Sequence, residues 1–242
     1  MTEQLANQLR SWAHHYNNRE LFMANDPIQV PNRYLNGNLE DLEISAFLTA
    51  YLSFGNRKQI VKTALRLDEM MRHHPHQYVM SGQWDSDFPC DDTSSFYRTV
   101  SRQSMNHLFE FLYDIYDFNG TMEMAVCDEP VNSNDNAPFH KLCSLFGVSD
   151  KSPQKKLNMF LRWMVRTDGI VDFGAWRAFS PADLIIPLDT HVAQMASKLG
   201  LVPTQTYSLK TAKTITRGLA EVFPGDPCLG DFALFGYGVE ND

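Results

Sequence analysis

An aspartate that follows an apolar run and opens a helix is a carboxylate held in one place. Asp189 has this setting in LIIPLDTHVAQMASKLGL: Pro187 closes the run, Val192, Met195 and Leu199 repeat at helical spacing, and Gly200 stops the helix. A carboxylate at a helix N-terminus is kept ionised, which suits the stabilisation of nearby positive charge. The same residue also reads as a plain N-cap. The second group is Lys156, in DKSPQKKLNMFLRWMVRTD. Ser152 followed by Pro153 predicts a cap and a first-turn proline, with Leu157, Phe160, Leu161 and Met164 as the buried stripe. Lys156 then falls in the first turn, where the helix dipole disfavours a cation and partial burial lowers its pKa. A neutral lysine amine is a nucleophile. Lys155, next to it, competes for that role, and an ordinary exposed lysine is the plain alternative for either.

From Lys151 to Arg166 the chain has five basic residues and no acidic one. Lys155, Arg162 and Arg166 are seven and four residues apart and share one side of a helix, as a phosphate-binding patch or a solvated face. His73, His74 and His76 crowd together in HHPH, but Pro75 interrupts any pairing one turn apart, so no metal site is expected. Trp163 and Trp176 suit packing more readily than stacking on a base. Phosphate loops, dinucleotide fingerprints and nucleophile elbows are absent from the sequence.

The positioning elements read as helical nearly throughout. Helices are predicted over 3–16, through DLEISAFLTAYLSFG with Ile44, Phe47, Leu48, Tyr51 and Leu52 as its stripe, and again from Asn56 with Ile60, Val61, Ala64, Leu65 and Met71 inward. Further helices are predicted in SMNHLFEFLYDIYDF and over about 138–146, 153–166, 190–199, 208–222 and 229–237. Residues 81–95 and the stretch CDEPVNSNDNAP read as loops, and no strand is expected. The fold class is therefore all-α: one unit of 242 residues, divisible into a lobe of about 35–145 and a lobe of 1–34 with 146–242. Hydrophobic residues make up 43% and charged residues 21%, with no apolar run long enough for a membrane span and no export signal at the N-terminus. Cys90, Cys127, Cys143 and Cys228 are far apart and are expected as reduced thiols in a cytoplasm. The net charge of −8 excludes a surface that grips nucleic acid everywhere, so a nucleic-acid role needs a local basic patch.

IPLDTHVAQMASKLGL resembles the segment of the helix-hairpin-helix DNA glycosylases, the endonuclease III group, that carries their catalytic aspartate; the match falls on Asp189. Lys156 in KKLNMFLRW stands where lysine-bearing members have their nucleophile, at an interval similar to that of the archaeal 8-oxoguanine glycosylases. DLEISAFLTAYLSFGNRKQIVKTA looks like the helix pair whose joint probes the gap left by an extruded base, which implies that Ser53, Gly55, Asn56, Arg57 and Lys58 lie near DNA. DFALFGYG resembles the last core helix. As a whole the chain resembles an uncharacterised bacterial family of conserved hypothetical proteins distantly related to these glycosylases. It departs from the group where the hairpin reads GVSDKSPQKKL in place of a glycine-rich LPGVGRKTA, so the implied fold is a helical bundle with a degenerate hairpin. The four-cysteine loop that follows the last helix in endonuclease III has no counterpart, and no iron–sulfur cluster is expected.

The resemblance implies a base-excision glycosylase acting on damaged duplex DNA, with Lys156 and Asp189 as the catalytic pair and no metal needed. Lys151, Lys155, Arg162, Arg166 and His191 join the joint residues as the implied DNA-contacting set. The other class is a catalytically silent helical protein that keeps the fold for nucleic-acid or protein binding.

Overall fold

Helix starts are written locally in this chain. Thr2, Asn38, Asn56, Ser101, Asp189 and Ser208 each accept a hydrogen bond from a backbone N–H three residues on, so each fixes an N-terminus. A computed structural model describes residues 1–131 and 135–240. In chain order the helices are α1 (Glu3–Tyr16), α2 (Arg19–Asn25), α3 (Leu39–Leu52), α4 (Arg57–Met70), α5 (Pro75–Ser81), α6 (Trp84–Asp87), α7 (Arg102–Asn119), α8 (Met122–Asp128), α9 (Ala137–Leu145), α10 (Lys155–Val165), α11 (Thr190–Lys198), α12 (Leu209–Ala220) and α13 (Leu229–Glu240). Among the described residues the only strands are β1 (Ser95–Tyr97) and β2 (Val100–Ser101), an antiparallel hairpin. The protein is thus mostly helical, and none of the described helices is long and apolar enough to cross a membrane.

The chain divides into two compact units, 1–23 with 129–242 and 24–128. This moves both expected lobe boundaries: 24–34 joins the second unit and 129–145 the first. In the second unit the 3-10 turns Pro27–Gln29 and Pro31–Tyr34 pack against α3, which ties that segment to it. In the first, α9 packs on α10.

α3 departs from its expected single stripe. Every residue from Asp41 to Ala50 is buried, so this is a core helix wrapped on all sides. Its two buried carboxylates cap neighbours: Asp41 accepts from the N–H of His76 at 2.7 Å, and Glu43 accepts from Tyr116 Oη at 3.0 Å and from the N–H groups of Met122 and Glu123. Those contacts explain why α5 and α8, too short to show periodicity, form at all. The stretch expected as loop over 81–95 holds α6 and the start of the hairpin. Residues 132–134 of the CDEPVNSNDNAP loop lie outside the described residues.

In the first unit α13 lies against α1 and α11. Trp12 stacks on Tyr237 with ring centroids 4.0 Å apart, and a Cβ at Gly236 would overlap the Tyr16 ring. Gly236 is therefore needed for the close approach of α1 and α13. Gly236→Ala is expected to lower unfolding free energy by about 1–3 kcal/mol in urea titrations, the usual range for overpacking. Adding Tyr16→Ala is expected to give a total loss smaller than the sum of the two single losses, because the clash is shared.

Candidate functional site

Asp189 sits where an apolar strand-like run ends. Leu184, Ile185, Ile186 and Leu188 are buried, which anchors the backbone just before the carboxylate. One oxygen, Oδ1, accepts from the Val192 N–H at 3.0 Å and caps α11; the other, Oδ2, lies 3.2 Å from Lys155 Nζ. The lysine paired with Asp189 is thus Lys155, one residue before the expected partner. α10 also starts later than expected. Ser152 turns its hydroxyl back to the Ser149 carbonyl, and Gln154, in a left-handed conformation (φ 36°), precedes the first helical residue, Lys155. Ser152 and Pro153 therefore belong to the preceding turn, and neither caps nor begins the helix.

Lys156 follows in the same first turn, half-buried. Burial, and then the positive charge of Lys155, bring its amine down to about 8 from an ordinary 10.5. The two lysines have different environments: Lys155 is paired with a carboxylate, and Lys156 is pressed toward the neutral form.

Beneath them lies a network that corrects the expected phosphate patch. Arg162 is 6% exposed and Arg166 0%, so neither can meet DNA. Arg162 donates to Asp231 at 2.7 Å and to Asp172 at 3.3 Å. Arg166 donates to Asp172 at 2.5 Å, Asp168 at 2.6 Å and Asp226 at 2.9 Å, and Asn17 donates to Asp168 at 2.7 Å. Both guanidinium groups lie over the Phe232 ring, at 4.6 and 5.0 Å. The spacing of 155, 162 and 166 does select one side of a helix, but by Arg162 that side faces the interior. Burial raises the Asp231 carboxyl to about 6 despite Arg162, and the negative charge of Asp189 adds to the rise. Burial also raises Asp172, which both arginines oppose. For Asp168 burial acts upward too, but Arg166 and the Ile170 N–H outweigh it and hold the carboxyl below its usual range. One signal for this cluster stood in the sequence: Asp231 is an acid inside the apolar helix LGDFALFG, which calls for a buried cation.

The remaining expected contacts divide. Lys151 is exposed in the turn before α10. His191 is half-buried in the first turn of α11, its ring 6.4 Å from that of Phe235 on α13. At the α3–α4 joint Ser53 is 5% exposed and donates to the Thr49 carbonyl at 2.8 Å, so it caps α3 and is withdrawn from any DNA face. Gly55, Asn56 and Lys58 are exposed and Arg57 partly so; Asn56 caps α4. Trp163 and Trp176 are fully buried, and Trp176 packs edge-on to Phe160 at 5.3 Å, so both are core residues. His73 pairs with Asp68 at 2.8 Å while His76 packs on Tyr116, so the histidines diverge.

A family model described as a protein of unknown function, DUF2400, matches residues 26–240. No curated protein and no solved structure matches the chain.

Two outcomes are expected of the buried network. Arg162→Met, which strands Asp231 and leaves Asp172 with Arg166 alone, is expected to cost about 3–5 kcal/mol in urea denaturation, as for a buried pair that loses one partner. A carboxyl whose pKa rises on folding binds its proton more tightly in the folded state. Its contribution to stability is therefore greatest below 3.8 and is lost as pH rises through about 6. Wild type is expected to lose stability relative to Asp231→Asn across that window; a flat difference would contradict the burial of an ionisable Asp231.

Proposed function

We propose, for a chain that belongs to the DUF2400 family, that it is a DNA base-excision glycosylase with lysine-dependent abasic-site lyase activity, in a helix-hairpin-helix glycosylase-like fold with a degenerate hairpin. The observation that carries this reading is the juxtaposition at the start of α10. Lys155 Nζ is 3.2 Å from an Asp189 carboxylate fixed as a helix cap, and the adjacent Lys156 amine has a pKa of about 8. Amine catalysis needs an amine that gives up its proton more readily than an ordinary lysine and a carboxylate fixed nearby.

In the proposed reaction the damaged nucleotide is extruded from the duplex. Neutral Lys156 Nζ attacks the anomeric carbon, and the bond from that carbon to the base breaks, its electron pair leaving with the base, which takes up a proton. Asp189 stabilises the positive charge that develops on the sugar. The nitrogen loses one proton to solvent and one to the ring oxygen as the ring opens to an imine; loss of a C2′ proton to solvent then supplies the electron pair that expels the 3′ phosphate and cleaves the strand. Lys155 is a positioning residue here: it holds Asp189, and its charge disfavours a proton on Lys156.

A second reading, a catalytically silent helical protein retained for nucleic-acid or protein binding, is favoured by the burial of Arg162 and Arg166 in a chain of net charge −8.

Borohydride trapping separates the two, on duplexes carrying an abasic site, 8-oxoguanine, uracil or an alkylated base. Wild type is expected to form a covalent adduct that Lys156→Ala abolishes and Asp189→Asn strongly diminishes. The trapping rate is expected to rise with pH through a midpoint near 8, because the neutral amine reacts. An adduct that survives in Lys156→Ala would remove Lys156 as nucleophile. Base release without an adduct, dependent on Asp189, would make the enzyme a water-using glycosylase. Absence of adduct, release and duplex binding would leave the silent-fold reading.

A further inference from the structure

The second unit carries a cationic surface that the base-excision chemistry does not use. Between Ile44 and Leu67 the sequence has four cations (Arg57, Lys58, Lys62 and Arg66) and no carboxylate; between Thr93 and Phe109 it has Arg98 and Arg102 and again none. The fold brings these two stretches together. Tyr97 Oη donates to the Phe54 carbonyl at 2.7 Å, Arg98 lies over the Phe54 ring at 5.7 Å, and Arg66 lies over Phe96 at 4.9 Å. A Cβ at Gly55 would come within 2.5 Å of the Arg98 guanidinium, so the hairpin tip rests directly on the α3–α4 joint.

Lys58, Lys62 and Arg66 are four residues apart and exposed, on the side of α4 opposite Ile60, Ala64 and Leu67, which are buried. Arg98 is exposed too, and among the described residues no carboxylate pairs with Lys58, Lys62, Arg66 or Arg98. Arg102 is different: it is bound to Asp92 at 2.9 Å. Arg98 also has φ +52°, a left-handed conformation that a non-glycine residue keeps only where its surroundings impose it. A strained arginine at the tip of a two-strand hairpin, with three exposed cations beside it in an acidic protein, makes a local cationic surface suited to a polyanion.

We propose that Lys58, Lys62, Arg66 and Arg98 form a phosphate-binding track for the backbone of duplex DNA, with the β1–β2 hairpin holding Arg98 in register with the α3–α4 joint. The choice of duplex DNA as occupant rests on the base-excision reading; the track itself rests on charge and geometry alone. Contacts of this kind position a duplex without reading its sequence, and each releases bound counterions.

The test is fluorescence anisotropy of a labelled undamaged duplex with the full chain, at salt from about 50 to 200 mM, the range over which phosphate contacts weaken steeply. The triple variant Lys58→Gln, Lys62→Gln, Arg66→Gln is expected to reduce the slope of log affinity against log salt by about 3, near one for each lost contact. Lys210→Gln, exposed on α12, is expected to leave the slope unchanged. Arg98→Gly is expected to weaken binding without lowering the melting temperature, since glycine accepts φ +52°. An unchanged slope in the triple variant overturns the track, as does a wild type that binds anionic phospholipid vesicles but no duplex. Duplex binding that depends on the track without borohydride trapping leaves the track standing and removes the catalytic reading. Trapping intact with track-independent affinity does the reverse.

Discussion

Two arginines with almost no access to water set the terms for the first unit. Arg162 and Arg166 lie one turn apart, and each is held by several carboxylates: Asp231 and Asp172 on one, Asp172, Asp168 and Asp226 on the other. A buried charge tolerates little displacement, because losing a partner leaves an uncompensated ion in a low-dielectric interior. The network therefore fixes α10 to α13 through Asp231 and to the 166–172 turn through Asp172, and Asn17 ties the end of α1 to the same cluster through Asp168. It acts through geometry more than through net stability, since the desolvation of so many charges offsets most of their attraction.

That constraint reaches the candidate site along α10. With Arg162 anchored, the first turn of the helix has a set position, and Lys155 meets the carboxylate that caps α11. The electrostatics are continuous as well: the charge on Asp189 contributes to the raised pKa of Asp231, and the charge on Lys155 to the lowered pKa of Lys156. A buried ion network, a helix cap and an amine close to neutrality thus form one connected system. Buried as they are, Arg162 and Arg166 cannot serve as phosphate contacts.

Much of the helical frame was legible in the sequence because caps and stripes are local. Asp189 before THVAQM announced α11 as a cap, and the helices expected from Asn56 and over about 208–222 are present as α4 and α12. What could not be read depended on distant partners. The small helices α5 and α8 exist because Asp41 and Glu43, on another helix, cap them. The charges at 162 and 166 looked like a surface face because periodicity gives a side and not a direction; only Asp172 and Asp231, far away in sequence or across a turn, turn that side inward. At the site, Asp189 was readable as a fixed carboxylate. Whether Lys155 or Lys156 would face it depended on where α10 begins, and Ser152 and Pro153 gave a false start two residues early.

The proposed chemistry depends on Lys156 being an amine of lowered pKa, next in the chain to the lysine that holds Asp189. An NMR titration of the lysine side-chain Cε resonances tests it most directly, with Lys156 assigned by its absence from the Lys156→Arg spectrum. The expected midpoint is near 8 in wild type, moving upward in Lys155→Ala as the neighbouring positive charge is removed. A Lys156 midpoint at the ordinary lysine value of 10.5, indifferent to Lys155, would contradict it.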